Sequence, residues 1–251
     1  MKAIILAAGK GERLQPHTKD IPKCLLTLDN ETILEHQINH LKSSEVDEVN
    51  VVVGFASKKV EEFLGNYDSL GMKINTIYNP FWESTNSLFS LWAARFELNS
   101  DVLLLNGDDV FELDVIKLIL SNQDEICVPF KIKDQYASED MKVKIQNGFL
   151  THISKNLSNP SGESVGIRAF RREGVDTLRR SLEKEIRSDN FEKKWYASAI
   201  ERILQRGHKI RAIDIKNLYW HDVDYPNDLN HAKLNINKIT SKKTSSNLRV
   251  V

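Results

Sequence analysis

The chain has 251 residues but only two cysteines, six prolines and no surplus of either charge, and each shortage closes off a class of function. Cys24 and Cys127 stand far apart with no CxxC partner, which argues against a zinc ribbon or a disulfide scaffold and marks both as buried thiols. Lys plus Arg balances Asp plus Glu, 35 against 35, so no global field draws in nucleic acid or an anionic membrane. Any basic site must be local. No apolar run approaches the ~20 residues of a membrane span. The N-terminus shows no basic n-region, apolar h-region or small-residue cleavage site, so a cytoplasmic protein is expected and the Asn-x-Ser/Thr matches at Asn30 and Asn156 carry no weight. No internal repeat or linker is visible.

What the sequence does have is concentrated in its first 25 residues. Ile4, Ile5 and Leu6 read as the first strand of a covered parallel sheet. The loop after it is built from small residues, Ala7, Ala8, Gly9 and Gly11, which let backbone N–H groups approach an anion closely, and Arg13 and Lys23 supply positive charge. It is neither of two common phosphate loops. The dinucleotide fingerprint needs Gly where Leu14 stands, and a Walker loop needs four residues between its glycines followed by Lys-Ser or Lys-Thr.

Strand and helix patterns then alternate. Ile33, Leu34, Ile38 and Leu41 recur at helical spacing, Val49 to Val53 reads as a second buried strand, and Val60, Phe63 and Leu64 mark a helix. A third strand at Met72 to Ile77, a helix from about Asn86 to Phe96 and a fourth strand at Val102 to Leu105 complete a βαβ rhythm. The fold class expected is α/β, a doubly wound, mostly parallel Rossmann-like sheet whose ligands sit beyond the carboxyl ends of its strands. Beyond Glu125, short strand-like pieces (Ile126 to Phe130, Met141 to Ile145, Phe149 to Ile153, Val165 to Phe170) predict a mixed section. Helices near Gly174 to Ile186 and Lys194 to Gln205 and a strand at Ile210 to Ile215 follow. From Thr240 the Ser/Lys/Asn-rich segment lacks apolar periodicity, which predicts a flexible tail over 240–251 after one domain spanning 1–239.

The run Leu6-Ala7-Ala8-Gly9-x-Gly11-x-Arg13-Leu14-x-Pro16-x-Thr18, followed by Pro22-Lys23 and Leu25, resembles the signature of the sugar-phosphate nucleotidyltransferases. That family moves a nucleoside monophosphate from a triphosphate to a phosphorylated acceptor and releases pyrophosphate. The resemblance implies that the backbone from Ala8 to Gly11 wraps the triphosphate, with Leu6 and Ala7 also in the nucleotide site, that Arg13 and Lys23 act on its phosphates, and that 1–124 is mainly the nucleotide half and 125–239 mainly the acceptor half. The residue types agree, since phosphoryl and nucleotidyl transfer depend on positioning and charge neutralisation rather than on a protein nucleophile.

Asn106-Gly107-Asp108-Asp109 ends the fourth strand. By the same resemblance Asp108 is the first ligand of a Mg2+ ion, whereas Asp109 reads as the cap of a following helix. Trp220-His221-Asp222-Val223-Asp224-Tyr225-Pro226-Asn227-Asp228 resembles the family segment that supplies the second metal ligand, with Tyr225 in place of the usual Thr. Asp222 and Asp224 alternate and can point the same way from an extended segment, so both are ligand candidates, Asp222 first. Asp228 reads as a helix-start charge and His221 as a half-buried residue.

Tyr78 to Leu91 looks like the Asn-Pro…Thr-Asn-x-x-Ser-Leu stretch of small-acceptor cytidylyltransferases, a branch that includes phosphocholine cytidylyltransferases. It implies Asn79, Thr85, Asn86 and Ser87 as readers of the base, and CTP as the nucleotide. Asp140 to Val143, Ile153 to Lys155 and Gly162 to Ile167 resemble the same branch. They imply Lys155 as the contact to the acceptor phosphate, with Lys142 in a similar role and Glu163 on an amine or hydroxyl. Tyr136, Trp195, Tyr196 and Trp220 could surround an ammonium group by cation–π contacts, or simply pack, Trp195 along the helix expected from Lys194. The expected reaction is magnesium-dependent transfer of CMP to phosphocholine, 2-aminoethylphosphonate, phosphoglutamine or a similar acceptor. A hexose-1-phosphate nucleotidyltransferase using UTP, dTTP or GTP, and a non-catalytic nucleotide sensor, stay open. The sequence leaves the oligomeric state open, a homo-oligomer included.

Overall fold

A computed structural model describes residues 1–246, with side-chain surroundings given through residue 236. The apolar opening run forms β1 (Lys2–Ala7). Thr32 starts α1 (Ile33–Lys42) with a reciprocal capping box: its side chain accepts from the Glu35 N–H, and the Glu35 side chain accepts from the Thr32 N–H. The expected alternation continues through β2 (Glu48–Val53), α2 (Ser57–Asn66), β3 (Lys73–Tyr78), α3 (Ser87–Ala93) and β4 (Val102–Asn106). Ala3, Ile5 and Ala7 of β1 face a hydrophobic cluster shared with Leu34, Ile38 and Leu41 of α1, while Ile4 joins a second one with Leu88 and Leu91 of α3. Helices cover both faces of the sheet here, which is why the central strands β1 and β4 carry unbroken apolar runs.

After β4 come β5 (Asp109–Phe111) and α4 (Leu113–Ser121), then β6 (Ile126–Lys131), β7 (Lys142–Gln146), β8 (Phe149–Ser154), β9 (Gly162–Ser164) and β10 (Ile167–Phe170). The chain continues with α5 (Glu173–Glu185), α6 (Ala197–Gln205), β11 (Arg211–Asp214), β12 (Trp220–Asp222) and α7 (Pro226–Ser246). Ten strands form one sheet in the order β11-β8-β7-β9-β6-β10-β4-β1-β2-β3. The segment β4-β1-β2-β3 is wholly parallel. From β10 onward pairing is mostly antiparallel, with β11 parallel to β6, so the mixed section takes six of the ten strands.

Asp109 is not a helix cap, contrary to the sequence reading. It begins β5, fully buried, and β5 pairs antiparallel with β12, Asp222 opposite Asp109 and His221 opposite Val110. A strand more than a hundred residues downstream captures the segment and delays the helix to Leu113. The ribbon also carries Asp222 to the carboxyl end of β4. α6 begins at Ala197 rather than Lys194, leaving Trp195 ahead of the helix and 43% exposed. Of the tail expected over 240–251, residues 247–251 lie outside the described residues, and the rest are backbone of α7. Cys24 and Cys127 are buried free thiols, and among the described residues no helix is long and apolar enough to cross a membrane.

Candidate active site

A cleft of about 280 Å³ opens at the carboxyl ends of β1 and β4. Leu6 at the end of β1 and Ala8 and Gly9 of the loop after it line the cleft, while Ala7 turns into the core. Gly11 takes the left-handed conformation at φ 69°, and a side-chain carbon there would come within 3.2 Å of Lys23 Cβ. Thr18 locks the turn by donating its hydroxyl to the Gly11 carbonyl at 2.6 Å.

The charged groups predicted from distant segments meet here. Lys23 Nζ donates to Asp108 Oδ2 at 2.8 Å and to Asp224 Oδ1 at 2.6 Å. Arg13 Nη2 donates to Asp224 Oδ2 at 2.7 Å and Nη1 to the Tyr225 hydroxyl at 3.3 Å, with the guanidinium 5.0 Å above the Tyr225 ring. Asp228, in the first turn of α7, accepts from the Asp224 and Tyr225 N–H groups, the helix-start role expected of it. Burial alone would lower the Lys23 pKa, but Asp108 and Asp224 outweigh it and the lysine stays firmly charged. Asp224 is pushed up by burial and more than pulled back down by Lys23 and Arg13.

Asp222 has the opposite balance. Burial, then the charges of Asp108 and Asp224, push its carboxyl up to about 6. Asp108 Oδ1 is buried with no hydrogen-bond partner. Two hard oxygen donors, one orphaned and one repelled by its neighbours, form a set that a divalent cation would relieve. Among the described residues no three His, Cys, Asp or Glu side chains group around one point, so such an ion would complete its shell from water and a bound ligand.

Thr85, Asn86 and Ser87 line the cleft at the start of α3, with Trp82 and Ser90. Asn86 caps the helix through Oδ1, which accepts from the Ser87 N–H at 2.9 Å. Asn79 lies behind the cleft, fully buried, donating to Ser90 Oγ at 3.1 Å and accepting from the Phe81 N–H at 2.9 Å. Its amide shapes the loop instead of facing the cavity.

On the other wall Lys155 and Glu163 line the cleft. Lys155 stands 4.3 Å over the Trp195 ring; burial and then Arg13 lower its pKa. Lys142 is buried and donates Nζ to the Lys155 carbonyl at 2.8 Å, so it fixes the backbone that carries Lys155. Glu163 accepts from Lys133 at 2.7 Å, and Lys133 also reaches Asp140 at 2.8 Å. Burial still pushes Glu163 up to about 7. Tyr136 sits away from the cavity, its hydroxyl accepting from the Lys133 N–H at 3.2 Å. Trp195, Tyr196 and Trp220 do line the cleft, but Trp220 donates Nε1 to Asp109 at 3.1 Å and the Tyr196 hydroxyl donates to Asn106 at 2.9 Å.

Several lining residues escaped the sequence reading, Ser164, Arg168 and Asn106 among them. Arg168 and Asn106 occupy the floor, and Gly166 beside them is obligatory because a side-chain carbon there would lie 1.8 Å from Asp109 Oδ2 and 2.6 Å from Asn106 Nδ2. The signal for Arg168 was a charged residue inside the apolar run Ile167-Arg168-Ala169-Phe170.

Comparison with known proteins agrees with this geometry. The chain is 26% identical over 252 residues to CTP:phosphoglutamine cytidylyltransferase of Campylobacter jejuni, covering 91% of this chain and 98% of the relative. It is 30% identical over 244 residues to CMP-5'-(3-aminopropyl)phosphonate synthase of Streptomyces rubellomurinus, covering 92% of this chain and 38% of that longer protein. Its fold matches CTP:phosphocholine cytidylyltransferase of Streptococcus pneumoniae with a TM-score of 0.74 at 18% identity, over 93% of this chain and 97% of the other. The inositol-1-phosphate CTP transferase of T. maritima matches with a TM-score of 0.79 at 20% identity, over 95% of each. Residues 3–189 match the MobA-like NTP transferase domain, and the chain belongs to that family of nucleotidyltransferases.

Proposed function

We propose that the protein transfers CMP from CTP to a small phosphorylated or phosphonate acceptor and releases pyrophosphate, with Mg2+ as the metal. The observation that carries this reading is the placing of Arg13 and Lys23 on Asp224 and Asp108 at the mouth of the glycine loop. Two cations meant for phosphate oxygens are thereby fixed beside two carboxylates suited to a metal. Asp108 and Asp222 would hold the ion, which supplies charge neutralisation for the triphosphate when bound. An oxygen of the acceptor phosphate, already ionised at neutral pH, forms the new bond to the α-phosphorus as the bond from that phosphorus to the β-phosphate oxygen breaks. No general base is required. Lys155 orients the attacking phosphate, and Thr85, Asn86 and Ser87 face the base. The cytidylyl preference is supported by the relatives named for CTP or CMP.

The test is a matrix of the four ribonucleoside triphosphates and dTTP against phosphocholine, 2-aminoethylphosphonate, phosphoglutamine and glucose 1-phosphate, read by pyrophosphate release. CTP with a small acceptor is the expected productive pair. Release only with UTP or dTTP and a hexose phosphate would replace this reading, and release with none would leave a nucleotide-binding protein without transferase activity.

A further inference from the structure

Arg168 projects from β10 into the cleft floor and is only 2% exposed. Its Nη2 donates to Ser164 Oγ at 2.7 Å, while Nε and Nη1 have no hydrogen-bond partner. Those two atoms carry three of the five guanidinium N–H groups. A buried guanidinium with three N–H groups unpaired is costly, and a ligand that brings negative charge into the cleft offsets that cost.

Ser164 gives that charge a route into the cavity. Its oxygen accepts from Arg168, which directs its own proton elsewhere, and the protein acceptor in reach, the Val165 carbonyl, is a long 3.4 Å away. Ser164 lines the cleft next to Glu163, on the acceptor wall. The ring faces that an onium group would need are already covered by the protein's own cations. Lys155 stands over Trp195 at 4.3 Å and Arg168 over Tyr196 at 4.8 Å. That is the outcome for the aromatic cage considered from the sequence.

We infer that Ser164, backed by Arg168, selects an acceptor that carries a carboxylate in addition to the phosphate that reacts. The inference rests on the cytidylyltransferase reading for the identity of the site. Ser164 touches the carboxylate; Arg168 is a positioning residue that acts through it, strengthening the hydroxyl as a donor.

Matched probes test it. O-phospho-L-serine and O-phosphoethanolamine differ only by a carboxylate, and 3-phosphoglycerate and glycerol 3-phosphate form a second pair without an amine. The carboxylate member of at least one pair should have a kcat/KM about tenfold or more above its partner, the size expected of one hydrogen bond to a charged group. Ser164→Ala should bring that ratio close to one, and Arg168→Gln should do the same; Ser164→Ala keeps the test open if the arginine variant fails to fold. Equal use of both members of each pair, preference for phosphoethanolamine or phosphocholine, or an unchanged ratio in Ser164→Ala overturns the inference. Should no nucleotide support turnover, calorimetric titration of the same pairs separates the two ideas: tighter binding of a carboxylate probe, lost in Ser164→Ala, upholds the subsite while the transfer reading fails. No binding by either carboxylate probe sinks it.

Discussion

Lys23 Nζ lies 2.8 Å from Asp108 Oδ2, joining residues 85 positions apart in the chain. With Asp224 at 2.6 Å on the same ammonium, the lysine sits between one carboxylate suited to metal and one committed to cations. Asp224, read from sequence as an alternative metal ligand, has both oxygens occupied, one by Lys23 and one by Arg13. In the proposed reaction Asp224 would hold the two cations in place until a triphosphate takes them over, so that their charges are oriented before the substrate arrives, which is where electrostatic catalysis gains most.

Arg13 and Lys23 should separate in their effects. Arg13 is 46% exposed, so Arg13→Ala is expected to lower kcat/KM for CTP by about 100-fold with an unchanged melting temperature. Lys23 is only 13% exposed and bridges two carboxylates, so Lys23→Ala should lose activity to a similar degree and also melt earlier, because Asp108 loses its cation and Asp224 is left with Arg13 alone. Pyrophosphate release and thermal unfolding of the two variants check this; equal melting temperatures would mean that the bridge adds nothing to folding.

The carboxylates should sort by metal dependence. Asp108→Asn and Asp222→Asn are expected to abolish pyrophosphate release at any magnesium concentration. Asp224→Asn should leave the magnesium midpoint where it is and raise KM for CTP, since it frees Arg13 and Lys23 from their anchor. A shift of the magnesium midpoint in Asp224→Asn, with Asp222→Asn active, would reverse the assignment, and full activity in chelator would remove the metal.

The parts of this site that could be read from sequence are those whose meaning is local. The glycine loop with Arg13, and the acidic end of β4, each follow from one strand and the few residues after it. Asp109 could not be read this way, because its strand exists only through pairing with β12, a contact that no local pattern encodes. Asn79 and Lys142 are implied as ligand-binding residues by the resemblance to small-acceptor cytidylyltransferases. Both spend their polar groups on the protein, Asn79 on Phe81 and Ser90, Lys142 on the Lys155 carbonyl, because a buried amide or ammonium must find a partner wherever the fold places it. Arg168 was hidden for the opposite reason. Its neighbours Ile167, Ala169 and Phe170 are fully buried and mark a core strand, and only the packing of Tyr196 and Ser164 around it makes the guanidinium part of the cleft.

Under the cytidylyltransferase reading Asn86 would have two duties. Its Oδ1 caps α3, which leaves the Nδ2 donors to face a ligand. Asn86→Ala should cost about 1 kcal/mol of stability as a lost cap and raise KM for CTP more than KM for UTP. Asn86→Asp keeps the cap but not the donors, so it should restore the melting temperature without restoring the CTP preference. If the aspartate variant recovers both, Asn86 is a cap alone.

Glu163 should make stability fall as pH rises through the weakly acidic range. Its carboxyl is 3% exposed, and burial lifts its pKa from 4.5 to about 7 despite the Lys133 ammonium at 2.7 Å. The folded protein therefore holds this proton more tightly than the unfolded chain does. Below about pH 4.5 both states are protonated and the residue contributes its full share; from there to about pH 7 the unfolded state ionises first, so stability is lost with each step upward and levels off above. Glu163→Gln removes the titration, while Lys133 keeps Asp140 as a partner. Urea unfolding of the variant and the parent at pH 5 and pH 7.5 should show the variant gaining relative stability at the higher pH. A difference that does not change between the two pH values would mean that Lys133 holds Glu163 ionised throughout, and that the pair, not burial, sets its charge.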